Sequence, residues 1–347
     1  MNNIANTVER LALKSIMSLP PRLILSTFGK PSVVHDNQEL DPEIQVYLLI
    51  RKLLKKPGMG EVDPVLSRSG YTQDSLVHGI RINDIVSKDF DIPVTGASIK
   101  GRLYHPSQTS GPMPTLIYYH GGGFVIGDLE MFDHVCRFIS LETGFKVLAV
   151  DYRKAPEYPF PTGIHDSVEA YKWAISNHTL LGIDTSCVLV GGDSAGGNLA
   201  TIVGQILAEQ DIIRPVLQLL IYPTCDHSKS YPSREHFGEN FFLTKKDIEY
   251  FQTHYVGRDC DNFHPWISPI HAKNLSNLPP AVIVTAGFDP LRDEGEAYAE
   301  RLQSEGVEVK IIREKGLIHG FINMIGFSRS SLVAFRRVLQ QVKRSLK

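Results

Sequence analysis

The chain holds residue types that could break an acyl bond, gathered in a few short stretches. Ser194 stands in Gly191-Gly192-Asp193-Ser194-Ala195-Gly196-Gly197, after the apolar run Cys187-Val188-Leu189-Val190 and before Asn198-Leu199-Ala200-Thr201-Ile202-Val203. That order reads as strand, sharp glycine turn and helix, a setting in which a serine sits in a strained turn with its hydroxyl lifted clear of the sheet. Flanking glycines let strand and helix pass closely. A serine is a weak nucleophile until a base takes its proton, so Ser194 requires a histidine and an acid that orients it.

Of the 13 histidines, His319 is the best placed for the base. It follows the last expected strand after a short glycine-containing loop, Lys315-Gly316-Leu317-Ile318, and precedes Gly320-Phe321 at the start of an expected helix. Loops at the carboxyl ends of strands are where open α/β sheets gather their sites. The acid is sought in the same kind of loop. Asp289, in Gly287-Phe288-Asp289-Pro290, directly follows a strand, and its tight turn suits one fixed carboxylate. Asp226, just past the preceding strand, is the alternative. Asp293 and Glu294 would open the next helix, where acidic residues suit the helix dipole.

Attack on an ester creates a tetrahedral oxyanion, which needs backbone N–H donors already in place. His120-Gly121-Gly122-Gly123-Phe124, just past an expected strand, supplies candidates, because a glycine run brings the main chain close to a substrate. A phosphate loop is disfavoured: Gly127 falls one residue too late for G-x-G-x-x-G, and no G-x-x-x-x-G-K-[ST] is present.

Such loops need a scaffold. Eight strands are expected, at 80–86, 99–104, 116–119, 147–150, 188–190, 217–222, 281–285 and 307–312, the first two joined through Asp91-Ile92-Pro93 as a half-exposed hairpin. Several later strands are continuous apolar runs of the buried parallel kind. Helices are expected between them at 132–142, 163–177, 197–209 and 294–305, so the fold class is α/β with a mostly parallel sheet covered on both faces. Before the strands, Ile4, Val8, Leu11, Ala12, Ser15 and Ile16 mark an amphipathic helix ended by Pro20-Pro21. A second helix follows Asp41-Pro42, with Asp41 as cap. Residues 225–280 are too long for a single crossover and form an insertion. Its aromatics Tyr231, Phe237, Phe241, Phe242, Tyr250, Phe251, Tyr255, Phe263 and Trp266 suit either a pocket lining or a small core.

Composition is that of a folded globular protein: 347 residues, 42% hydrophobic, 21% charged and a formal net charge of -2. This gives no footprint for nucleic acid. The cations Arg336, Arg337, Lys343, Arg344 and Lys347 read as the solvated end of a last helix. Cys136, Cys187, Cys225 and Cys260 lack disulfide or metal-ligand spacing, so free thiols and no metal site are expected. Residues 1–20 carry no basic start followed by an apolar block, and no run of 18 apolar residues occurs. The expectation is a cytoplasmic protein without a stable membrane anchor.

His-Gly-Gly-Gly at 120–123, Gly-Asp-Ser-Ala-Gly-Gly at 192–197, Asp-Pro-Leu-Arg-Asp-Glu at 289–294 and His-Gly-Phe at 319–321 occur in one order. Together they resemble the hormone-sensitive-lipase-like family of bacterial carboxylesterases, of the α/β-hydrolase fold. Asp151-Tyr152-Arg153-Lys154-Ala155-Pro156-Glu157 and Pro159-Phe160-Pro161 are similar to that family's segment after the fourth strand, with Lys154 where an apolar residue is common. The resemblance runs from about residue 79 to the C-terminus. It implies nucleophile Ser194, acid Asp289 and base His319, with an oxyanion hole from the N–H groups of Gly122, Gly123 and Ala195. It further implies a helical cap from residues 1–75 and an insertion at 225–275, over a catalytic domain spanning 76–347, and makes a homodimer an expectation.

The expected function is a serine carboxylesterase acting on short- to medium-chain acyl esters, with a small-molecule ester as substrate and no metal or organic cofactor. His120 is read as bracing the glycine loop rather than moving protons. Activity should survive a chelator and fall on the acid side as His319 protonates. The alternatives are a non-catalytic ligand-binding receptor of the same fold, or a hydrolase of lactones or amides.

Overall fold

The structure, a computed structural model, describes residues 2–108 and 111–346, with the side chains of residues 2–6 and 8 outside the description. A small hairpin, β1 (Val34–His35) and β2 (Gln38–Glu39), precedes the main sheet. That sheet has eight strands: β3 (Ile85–Val94), β4 (Ala97–Pro106), β5 (Met113–Tyr119), β6 (Lys146–Asp151), β7 (Ile183–Asp193), β8 (Leu217–Ile221), β9 (Ala281–Phe288) and β10 (Val309–Ile318). Their order is β10-β9-β8-β7-β5-β6-β4-β3; β3/β4 and β4/β6 run antiparallel and the other pairs run parallel.

Four helices come first: α1 (Asn2–Met17), α2 (Pro21–Thr27), α3 (Pro42–Leu53) and α4 (Pro64–His78). Later come α5 (Asp133–Thr143), α6 (Thr162–Ser176), α7 (His178–Leu181), α8 (Ala195–Ala208), α9 (Pro232–Phe237), α10 (Lys245–Tyr255), α11 (Arg292–Ser304) and α12 (Arg329–Arg344). The sheet is buried on both faces. Ile117 and Tyr119 of β5 pack in one core with Leu199, Tyr171 and Tyr298 from α8, α6 and α11, while Leu116 and Tyr118 pack in another with Phe138 and Phe335 from α5 and α12. This is the two-residue alternation of a strand with helices on each side.

From β5 the chain crosses to β6 on one side and then to β7 on the other, so β5 and β7 lie side by side with Tyr119 opposite Gly192. A reversal of this kind opens a crevice at the strands' carboxyl ends. The glycine loop and the serine turn both leave the sheet there.

The described sheet matches the expected count of eight, with three local departures. The first hairpin turns at Thr95-Gly96, between Val94 and Ala97, and Asp91-Ile92-Pro93 lies inside β3. Gly96 takes a left-handed φ of 74°, and Pro93 costs no ladder bond on an edge strand. Residues 80–84 are accordingly irregular, and the strand starts at Ile85. The loop expected at 315–318 is instead the irregular end of β10, where Asp41 N–H donates to the Gly316 carbonyl and the N-terminal hairpin covers this edge. Asp41 caps α3 as expected, accepting from Glu43 N–H. The first expected helix is α1, although the side chains of Ile4 and Val8 lie outside the described residues. Helix α4 was not anticipated, because it buries Ser67 and Ser75 and exposes Val65, Leu66 and Leu76, erasing the apolar periodicity.

Candidate active site

Ser194 caps the N-terminus of α8 with φ 55° and ψ -120°, a backbone state that L-residues adopt only when held there. What holds it is the close passage of α8 over β5. A Cβ on Gly196 would stand 1.9 Å from the Tyr119 carbonyl oxygen, and one on Gly192 would stand 2.2 Å from it. Ser194 N–H is bonded to the Ile221 carbonyl at the end of β8.

His319 directly follows β10, and its Nε2 lies 3.0 Å from Ser194 Oγ. Its Nδ1 lies 2.8 Å from Asp289 Oδ2, at the end of β9. Asp289 is fully buried, and its other oxygen accepts from Leu291 N–H, which fixes the carboxylate within its own turn. With Asp289 accepting, Nδ1 carries the proton and Nε2 presents a lone pair to the serine hydroxyl. Asp226 does not approach His319: its carboxylate takes Ser228 N–H, Ser228 Oγ and Tyr231 OH.

The glycine loop leaves β5 beside this line. Gly122 (φ 112°), Gly123 (φ 59°) and Phe124 (φ 64°) all lie in left-handed territory, so the loop doubles back with Val125 and Ile126 N–H bonded to the Gly122 carbonyl. Among the described residues no acceptor takes the N–H of Gly122, Gly123 or Ala195, and all three residues line the pocket that holds Ser194. Asp193 joins the serine turn to this loop, accepting from Gly121 N–H at 2.8 Å and from Tyr118 OH at 2.7 Å. Burial raises the Asp193 carboxyl above its usual range, partly offset by those two donors. In the sequence, only its place just before the serine marks Asp193 for this role.

Residues 116–323 match a family described as alpha/beta hydrolase fold. The chain is 36% identical to the carboxylic ester hydrolase LipN of Mycobacterium tuberculosis, over 99% of this chain and 93% of that protein. The chain belongs to the alpha/beta hydrolase family. The resemblance to its hormone-sensitive-lipase-like branch stands, since bacterial and archaeal esterases recur among the relatives. Ethyl acetate hydrolase of Pseudomonas putida is 37% identical over 87% of this chain and 99% of that protein. Among solved structures, a hyperthermophilic esterase from the archaeon Pyrobaculum calidifontis superposes with a TM-score of 0.81 at 34% identity, covering 88% of this chain and 99% of that one.

In this hydrolase the pocket above Ser194 is walled by two separated parts of the chain. The segment before the sheet contributes Tyr47, Met59, Tyr71 and His78, and the stretch after β8 contributes Phe242, Leu243, Phe251 and Tyr255. The two parts touch: Gly60 N–H donates to Asp247, and Tyr250 OH donates to the Val62 carbonyl. Both readings of the insertion's aromatics hold for different residues. Phe242, Phe251 and Tyr255 face the pocket, whereas Phe237 and Phe241 pack on Phe288 at 5.4 and 5.5 Å. Glu294 is fully buried, bonded to Arg234, Thr224 and Cys225 N–H, and so fastens the start of the insertion to α11. Arg336 and Arg337 of the last helix pair with Glu142 and Glu314, while Lys347 lies outside the described residues.

His120 is stacked on Tyr152 at 4.5 Å and Phe132 at 5.5 Å, with Nδ1 turned to the Gly121 carbonyl, which is the geometry of a brace. Its Nε2 stands 3.6 Å from Asp151, a close electrostatic contact beyond hydrogen-bond reach. Lys154 binds the same carboxylate. Burial would raise the Asp151 carboxyl, but His120 and Lys154 outweigh it and hold the group at about 2. A carboxyl depressed in the folded state contributes stability above its ordinary value near 3.8, and that contribution is lost as pH falls through about 2. Asp151→Asn is therefore expected to lower the unfolding free energy by about 2 kcal/mol at pH 7. In urea titrations the gap should close as pH drops from 4 to below 2; a gap that ignores pH would refute this account.

Proposed function

We propose that this hydrolase is a serine carboxylesterase acting on short- to medium-chain acyl esters, with Ser194 as nucleophile, His319 as base and Asp289 as orienting acid. The observation that carries this reading is the continuous line from Ser194 Oγ to His319 Nε2 at 3.0 Å and from Nδ1 to Asp289 at 2.8 Å. His319 takes the serine proton as Oγ attacks the ester carbonyl, and the oxyanion is received by the N–H groups of Gly122, Gly123 and Ala195. The imidazolium returns its proton to the departing alcohol, and water repeats the sequence on the acyl-enzyme.

Residues 1–75 and 225–275 serve as the cap over residues 76–347, and their apolar pocket wall favours an acyl chain of modest length. Four unpaired cysteines suit a reducing cytoplasm. Among the described residues no helix is long and apolar enough to cross a membrane. The reading is tested with a panel of p-nitrophenyl esters and a fluorophosphonate probe. Turnover and a covalent adduct on the Ser194 peptide are expected. Tight ester binding without adduct or turnover would replace the esterase with a ligand receptor.

A further inference from the structure

Arg51 of α3 is a cation placed in the wall of a mainly apolar pocket that also holds Ser194 and His319. Its side chain is only 14% exposed. Burying a guanidinium is costly unless close, well-aimed acceptors replace water. Elsewhere in this protein they do: Arg68 grips Glu157 at 2.8 and 2.6 Å, and Arg153 meets Asp166 at 2.6 Å. Arg51 has no such partner. Its contacts are Tyr47 OH at 3.4 Å, Asp74 at 3.5 Å, Tyr71 OH at 3.5 Å and the Pro57 carbonyl at 3.2 Å. All exceed the roughly 2.7–2.9 Å of a charge-assisted bond.

The nearby carboxylate is not given over to Arg51. Asp74 is shared with Lys56, whose Nζ is nearer at 3.1 Å and takes the other oxygen, so Arg51 holds only the longer 3.5 Å contact. Lys56 also reaches Glu9, a half-exposed surface partner. The other carboxylate in the pocket wall, Asp193, is committed to Tyr118 and Gly121. Two histidines there, His78 and His227, are pushed down to about 4 by burial and are neutral at pH 7. The guanidinium carbon lies 5.1 Å from the Phe242 ring, and that ring's edge closes on Gly320, next to His319. One aromatic ring thus separates the cation from the catalytic line.

We propose that Arg51 is a specificity-determining residue that favours esters carrying a carboxylate several atoms from the scissile carbonyl, such as half-esters of dicarboxylic acids. A planar carboxylate matches the guanidinium fork in two parallel bonds, which the present neighbours do not supply. This inference rests on the esterase reading and names its substrate class.

The test compares kcat/KM for monoethyl adipate, its neutral monoamide and ethyl hexanoate, with a second set in which the carboxylate sits on the alcohol side. In the wild-type enzyme the carboxylate should be preferred over both neutral esters in one set, chiefly through KM. Arg51→Met should cut that preference at least tenfold, Arg51→Lys should restore part of it, and Asp74→Asn should raise it. Because the readout is a ratio, general damage cancels, and Asp74→Asn decides if Arg51→Met does not fold. A ratio unchanged in every variant, or an amide gaining as much as the carboxylate, would overturn the proposal while leaving the esterase intact. Failure of the wild type on all esters would remove the esterase reading and this one with it.

Discussion

Ser194→Ala is expected to reduce kcat on p-nitrophenyl butyrate by on the order of 10^5 with the fold intact. The hydroxyl's hydrogen-bond partner among the described residues is His319 Nε2 at 3.0 Å, so removing it deletes the attacking atom and breaks no structural bond. The φ of 55° costs alanine about what it costs serine, because both carry a Cβ. Thermal unfolding should therefore stay within a few degrees of wild type. Residual turnover well above water is expected, since Gly122, Gly123 and Ala195, whose N–H groups have no acceptor among the described residues, still line the pocket. Turnover within tenfold of wild type would mean that another group attacks the ester.

Gly196→Ala should instead act on the fold. The new Cβ would stand 1.9 Å from the Tyr119 carbonyl oxygen, 2.6 Å from its carbon and 2.7 Å from the His120 carbonyl oxygen. These are backbone atoms of β5 and of the loop that follows it, so no rotamer change relieves the collision. Helix α8 must move off the sheet or the serine turn must open, with a loss of about 3–5 kcal/mol and a fall in Tm of on the order of 10 °C. Gly70 of α4 supplies the contrast. Nothing lies within 4 Å of its would-be Cβ, so Gly70→Ala should be neutral or stabilising by up to about 1 kcal/mol. Equal melting temperatures for the wild type and Gly196→Ala would show that the packing of α8 on β5 is not what holds the turn.

Where the requirement was local, the residues displayed it. Gly192 and Gly196 flank Ser194 because the turn brings backbone onto backbone, and Asp41-Pro42 starts a helix through its own cap. The apolar runs at 219–221 in β8 and 281–284 in β9 reported burial on both faces without knowledge of their neighbours. The expected hairpin turn at Asp91-Ile92-Pro93 failed for a related reason: proline is punctuation in a central strand but not on an edge, and edge position is set by strand order.

The motif order, the strand-turn-helix around Ser194, the glycine loop and the α/β alternation were thus decided by the sequence alone, since short-range sterics and side-chain period specify them. The tertiary structure decided what depends on groups far apart in the chain. It placed Asp289 rather than Asp226 against His319 across 30 residues, and it bridged Asp193 to Gly121 across 72. It also turned Arg51 and Phe242, far apart in the sequence, toward one pocket. No local pattern encodes those approaches, because they arise only when strand order and the packing of the two wall segments bring separate loops together.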